Sequence, residues 1–85
     1  MPKFIIERNF AEQLEFTPEI AGQINSVCAE MGMQWLFSFL SSDKKKTYCL
    51  FEAANADSVR ENARRLNLPA DVVIEVSDLK PEMFV

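Results

Sequence analysis

Residues 35–53 read WLFSFLSSDKKKTYCLFEA. Two runs of alternating apolar residues flank a short, polar, lysine-rich stretch, and that alternation predicts a β-hairpin. The strands are expected over Gln34–Leu40 and Thr47–Ala53, with Ser41–Lys46 as the turn. The turn contains Asp43 but no glycine, so a two-residue type I′ or II′ turn is not expected. Strict alternation would place Trp35, Phe37 and Phe39 on one side of the hairpin. Pairing Leu40 with Thr47 adds Tyr48, Leu50 and Glu52 to that side. Four aromatic rings on one face exceed what a solvated surface needs, so something is expected to cover or visit them.

Outward from the hairpin, the remaining elements follow from local signals. Lys3–Arg8 reads as a strand, with Phe4 and Ile6 on one side and Lys3, Ile5 and Glu7 on the other. Residues 9–16 form a mixed connector. Thr17-Pro18-Glu19 opens a helix, with Thr17 as N-cap and Glu19 favourable to the helix dipole. Ile20, Ile24, Val27, Cys28 and Met31 give it an apolar stripe, and Gly32 stops it. Asn55 caps a second helix that turns Val59, Ala63 and Leu66 inward. Asn67 and Pro69 end that helix. Val72–Val76 is the last strand, with Val72, Ile74 and Val76 expected toward the helices. The tail 78–85 is expected to pack on a neighbour or fray.

The order β-α-β-β-α-β predicts one α+β domain over residues 1–85, a ferredoxin-like sandwich. It would have a four-stranded antiparallel sheet, usually ordered 4-1-3-2, and two helices on one sheet face. The helix side is expected to carry Phe4, Ile6, Leu36, Ser38, Leu40, Cys49, Phe51, Val72, Ile74 and Val76. The open side then carries Ile5, Glu7, Trp35, Phe37, Phe39, Tyr48, Leu50, Glu52, Val73 and Glu75. Glu7, Glu52 and Glu75 would lie on three different strands of that face. If adjacent, they could bind a cation or act as a general acid or base. The plainer reading is that they solvate the sheet rim.

Composition narrows the function classes. The chain has 85 residues, 48% of them hydrophobic, a net charge of −4 and no histidine. A domain this small gains from pairing with a second copy. The acidic balance argues against a polyanionic partner, so no nucleic acid is expected. No apolar run is long enough to span a membrane and residues 1–10 carry no leader pattern, so a cytoplasmic protein with no membrane partner is expected. Cys28 and Cys49 show no metal-ligand spacing and read as buried free thiols.

Three segments also carry a resemblance: MPKFIIER, the hairpin itself, and SVRENARRLNLPADVVIEV. Together they resemble a family of small ferredoxin-like proteins filed as a domain of unknown function, some of whose members are called nickel-binding proteins. Its pattern runs roughly W-x-H-S-Y … D-K-x-Y-C-x-Y-E-A … I-R-E-H-A-x-x-x-x-x-P-A-x-x-V-x-E-V. The resemblance implies the fold, a tendency to pair sheets, and nickel as the cofactor. The family's two histidines fall at Phe37 and Asn62, and Phe39 stands in place of a tyrosine. Trp35, Tyr48, Cys49 and Glu52 match. Cys49 and Glu52 each have donor atoms, but they are out of phase in one strand and face opposite sides.

Three functions are weighed. The first is a binding module in which two copies pack open face to open face. They would enclose a pocket lined by Trp35, Phe37, Phe39, Tyr48 and Leu50, with Glu7, Glu52 or Glu75 supplying polarity. Such a pocket suits a small hydrophobic or cationic ligand, and the plainer version is a dimer interface without a ligand. The second is a dimeric α+β barrel enzyme, oxygenase- or isomerase-like, using a glutamate or Tyr48 as acid or base. The third is RNA binding on the open sheet. That reading lacks the RNP1 pattern and meets three glutamates.

Overall fold

The computed structural model describes residues 1–84. Strand β1 (Lys3–Asn9) is followed by helix α1 (Pro18–Glu30), strands β2 (Gln34–Leu40) and β3 (Lys46–Glu52), helix α2 (Ala56–Leu66) and strand β4 (Val72–Val76). A short 3₁₀ turn, Pro81–Phe84, closes the described chain, with its side chains exposed. Val85, the last residue of the expected tail, lies outside the described residues. The strands form one sheet in the order β2-β3-β1-β4, antiparallel throughout. This is the expected ferredoxin-like α+β arrangement. No helix among the described residues is long and apolar enough to cross a membrane.

The local signals act as their chemistry dictates. The Thr17 hydroxyl accepts a hydrogen bond from the Ile20 amide at 3.3 Å, and Pro18 opens α1 where a missing N–H costs nothing. Beyond Met31, Gly32 adopts φ +67°, the left-handed conformation that ends a helix most cheaply without a Cβ. The Asn55 side chain accepts from the Ser58 amide at 2.8 Å to start α2. Asn67 takes the left-handed cap (φ 55°) that stops it. The hairpin turn is closed by Asp43, whose carboxylate accepts from the Ser41 hydroxyl and the Lys45 amide. Lys44 supplies the positive φ there in place of a glycine.

The core lies between the helices and the middle of the sheet. Phe4 and Ile6 of β1, Cys49 and Phe51 of β3, Ile24 and Cys28 of α1 and Val59 of α2 form one buried cluster. Each large apolar side chain so buried contributes about 1.5–3 kcal/mol. In the two central strands the alternation assigns every face correctly.

The edge strands depart from it. In β2, Trp35 pairs with Phe51, but Phe37 pairs with Leu50, so Leu36 is an extra residue in a β-bulge. The bulge turns Trp35 to the helix side, where it packs against the core, while Phe37 and Phe39 stay on the open side. In β4 the whole register is inverted relative to expectation. Val73 pairs with Ile6 and packs against the core, and Glu75 pairs with Phe4 on the helix side. Val72, Ile74 and Val76 pair with Glu7, Ile5 and Lys3, and so lie on the open face. Val72–Val76 has apolar residues in both phases, so a two-residue period cannot choose between them. The choice falls to the smaller group, because Val73 is the residue the core covers.

Candidate functional site

Two surfaces carry functional potential, one on each side of the sheet. The open face is built of rows that cross the strands. Its middle row runs Phe37, Leu50, Ile5 and Ile74 without a polar interruption. One neighbouring row is Phe39, Tyr48, Glu7 and Val72; the other is Gln34, Glu52, Lys3 and Val76. Phe37 and Phe39 are 50% and 63% exposed and meet edge to face, with centroids 5.5 Å apart. This face is thus more apolar than expected, because valines and an isoleucine replace Glu75.

The glutamates do not gather. Glu7 and Glu52 share the open face but sit two rows apart, about 13 Å along the strands at ~3.3 Å per residue. Glu75 is exposed on the other side of the sheet. The expected carboxylate cluster is therefore absent, and Glu7, paired with Tyr48, is the one glutamate left in a row with the aromatic rings.

The second surface is a cavity of about 340 Å³ on the helix side, between α1, the connector 10–17 and the β2 edge. Backbone hydrogen bonds hang the connector from the hairpin turn: the Phe10 amide donates to the Lys45 carbonyl, and the Leu14 amide to the Lys44 carbonyl. Phe10, Leu14 and Phe16 thereby become one wall, with Phe16 tilted against Trp35 at 5.8 Å between ring centroids. Ile20 and Ile24 of α1 and Leu66 and Leu68 at the end of α2 form the roof. The bulge matters here, since it swings the Trp35 indole into this wall. The indole N–H donates to the Ser38 hydroxyl at 2.8 Å, a contact between residues three apart that a regular strand would place on opposite faces.

The cavity floor holds one charged group. Arg8 continues the phase of Phe4 and Ile6 and is only 2% exposed. One guanidinium nitrogen, Nη1, donates to the Pro69 carbonyl at 2.7 Å, while Nη2 has no partner. Arg8 joins no ion pair among the described residues. Thr47 and Ser38 lie beside it on the floor, and no carboxylate lines the cavity.

Of the eight residues expected to line a site, Trp35 lines the cavity from the helix side, and Phe39, on the β2 edge, borders both the cavity and the open face. Phe37, Tyr48, Leu50, Glu7 and Glu52 lie on the open face, and Glu75 joins neither surface. Arg8 and the connector residues were missed. Arg8 had a usable signal, a charge in phase with two buried apolar neighbours at every second residue. Phe10, Leu14 and Phe16 had no periodicity to expose them.

The donor set does not fit the nickel that the resemblance implies. Imidazole suits that metal, and the two family histidine positions hold Phe37, a surface ring, and Asn62, a fully buried amide. Asn62 Nδ2 donates to the Cys28 sulfur at 3.6 Å, and its Oδ1 has no partner. Burial pushes the Cys28 thiol up from its ordinary value, against the Asn62 hydrogen bond and the Arg8 charge that pull it down. No three of His, Cys, Asp and Glu come together among the described residues in a way that could hold a metal ion.

None of the curated proteins matches this chain in sequence. Among solved structures, the fold is similar to that in the crystal structure analysis of SCO4226 from Streptomyces coelicolor A3(2). The TM-score is 0.77 at 17% identity, covering 92% of this chain and 99% of that one. At that identity the likeness speaks to the fold alone. A family model described as nickel responsive protein SCO4226-like matches residues 4–76, which takes in both helices and all of the sheet but Lys3. The chain belongs to that SCO4226-like family.

Proposed function

We propose that this protein is a small-molecule binding module whose ligand occupies the cavity between α1, the connector and the β2 edge. The observation that carries the reading is the cavity itself, about 340 Å³ walled mostly by apolar side chains and floored by a few polar ones. That composition is typical of pockets for small organic ligands. The family description speaks of nickel, but the donor atoms present give that metal no support here. The enzymatic alternative is also weaker, since Glu7, Glu52, Glu75 and Tyr48 all lie away from the cavity.

A neutral apolar fluorophore, N-phenyl-1-naphthylamine, tests the reading. It is expected to bind saturably and to gain emission, and Leu14→Trp, which fills the cavity from the connector, is expected to abolish the gain while leaving the far-ultraviolet circular dichroism unchanged. Equal binding by both proteins would reject the cavity as the site.

A second reading is favoured by the unbroken apolar row on the open face. A second copy of the chain, packed sheet to sheet, would cover Phe37, Leu50, Ile5 and Ile74. Contiguous exposed apolar surface of this kind usually marks an interface. The two readings are compatible, because the cavity and the open face lie on opposite sides of the sheet.

A further inference from the structure

The charge on the cavity floor narrows the ligand class, and this step rests on the cavity being the ligand site. We propose that the cavity takes an amphipathic monocarboxylate, with its carboxylate on Arg8 and its apolar body against the connector and α1.

Three observations lead there. First, Arg8 is a buried cation without a counter-ion, and one of its guanidinium nitrogens donates to nothing. An ionised group withdrawn from water is stable only when paired and hydrogen-bonded. The protein supplies one carbonyl, from Pro69, to Nη1 and no acceptor to Nη2. A carboxylate is the acceptor that a guanidinium binds best, by charge-assisted hydrogen bonds. Second, the floor carries further donors. The Ser38 and Thr47 hydroxyls each accept a bond, from the Trp35 indole and the Cys49 thiol, and neither donates to another group among the described residues. Their hydrogens remain available to a second carboxylate oxygen. Third, the walls are apolar and no acid lines the cavity, so a cationic ligand would face Arg8 uncompensated, and a bare inorganic anion would leave the walls wet.

Size sets the rest. At ~30 Å³ for each water-sized group, the cavity holds about eleven of them. That corresponds to a medium-chain fatty acid or a short aryl-alkanoic acid. The sign of charge is opposite to the one expected from the sequence, where three glutamates pointed to a cation.

Octanoate, 1-octanol and octylammonium share a tail and differ in headgroup, so their ranking isolates the role of Arg8. Each is titrated directly against the emission of Trp35, the chain's single tryptophan, and again in competition with N-phenyl-1-naphthylamine. Octanoate is expected to bind about tenfold or more tighter than 1-octanol, with octylammonium weakest, and acetate is expected not to compete. Arg8→Met is expected to erase the gap between octanoate and 1-octanol while still binding the neutral fluorophore. Equal affinities for the acid and the alcohol in the wild type, or a preference for octylammonium, would overturn the proposal. If Arg8→Met does not fold, the wild-type ranking decides alone. Fluorophore binding with no acid preference overturns the carboxylate and leaves the cavity standing, whereas silence from every probe overturns both.

Discussion

The two sides of this sheet use the same residue types for different ends. The open face spreads phenylalanine, isoleucine and valine in flat rows and keeps its charges, Lys3, Glu7 and Glu52, out of the middle row and partly open to water. The helix side encloses its aromatic rings and puts a single charge, Arg8, at the bottom of a cavity. A charge on the open face keeps most of its hydration, so little depends on its partner. Arg8 has lost its hydration, so its missing partner becomes information. Solvent access decides which of the two surfaces is specific.

The largest effect expected from this contrast lies at the centre of the sheet. Phe51 is fully buried against both helices, whereas Phe37, one strand away, is half exposed. Phe51→Ala is expected to lower the unfolding free energy by about 3–5 kcal/mol. That is a large part of the roughly 4–13 kcal/mol expected for 85 residues. Phe37→Glu is expected to change it by less than about 1 kcal/mol in protein diluted to monomer. The same variant is expected to abolish any sheet-to-sheet dimer in sedimentation equilibrium. Urea titrations giving similar losses for both variants would erase the distinction between the faces.

Trp35 is the residue that crosses from one side to the other, and it sharpens the comparison. As an open-face ring it would cost little to remove. As a wall of the cavity, packed on Phe16 and bonded to Ser38, it is expected to cost about 2–3 kcal/mol as Trp35→Ala, somewhat below the value for a fully buried aromatic. The loss should appear in the urea midpoint and also as a weakened fluorophore signal. A variant as stable as the wild type would return Trp35 to the open face and remove the bulge from the account.

What the sequence made legible follows the same division. The central strands β1 and β3 have neighbours on both edges and a core on one face, so register and face are tightly specified, and Phe4, Ile6, Cys49 and Phe51 fall where alternation puts them. Helix ends were legible too, because Thr17, Asn55 and Asn67 act through contacts a few residues away. The edge strands failed for a physical reason. Each has a single neighbour, and apolar residues stand in both phases, so a bulge at Leu36 or a one-residue shift in β4 leaves the pattern plausible. The candidate site inherited those errors: Trp35 and Glu75 were assigned to the wrong side. The cavity itself depends on where a non-periodic connector is tied, and those ties are backbone bonds to the hairpin turn, which no side-chain pattern announces. Family membership, by contrast, was legible from the three matched segments.

The smallest effect tests where solvent begins on the helix side. Glu61 sits on the outer surface of α2, where its carboxylate accepts from the guanidinium groups of Arg64 and Arg65. Those hydrogen bonds, Arg64's first and then Arg65's, hold its pKa at about 2 against an ordinary 4.5. Because the folded-state value lies below the unfolded one, the stabilisation is full above pH 4.5 and fades as pH falls from there toward 2. The carboxylate stands at the outer surface of the helix, so solvent and salt screen the pair and the contribution is small. Glu61→Gln is expected to remove this component, so that the difference between wild type and variant in thermal midpoint shrinks to nothing as pH falls through that window, and shrinks likewise in strong salt at neutral pH. Arg8 is the contrast: its side chain is buried on the cavity floor, where bulk salt screens it far less than it screens the surface of α2. A Glu61 contribution that survived strong salt would mean that the outer face of α2 is covered, and the boundary between the wet and dry sides of this fold would have to be drawn further out.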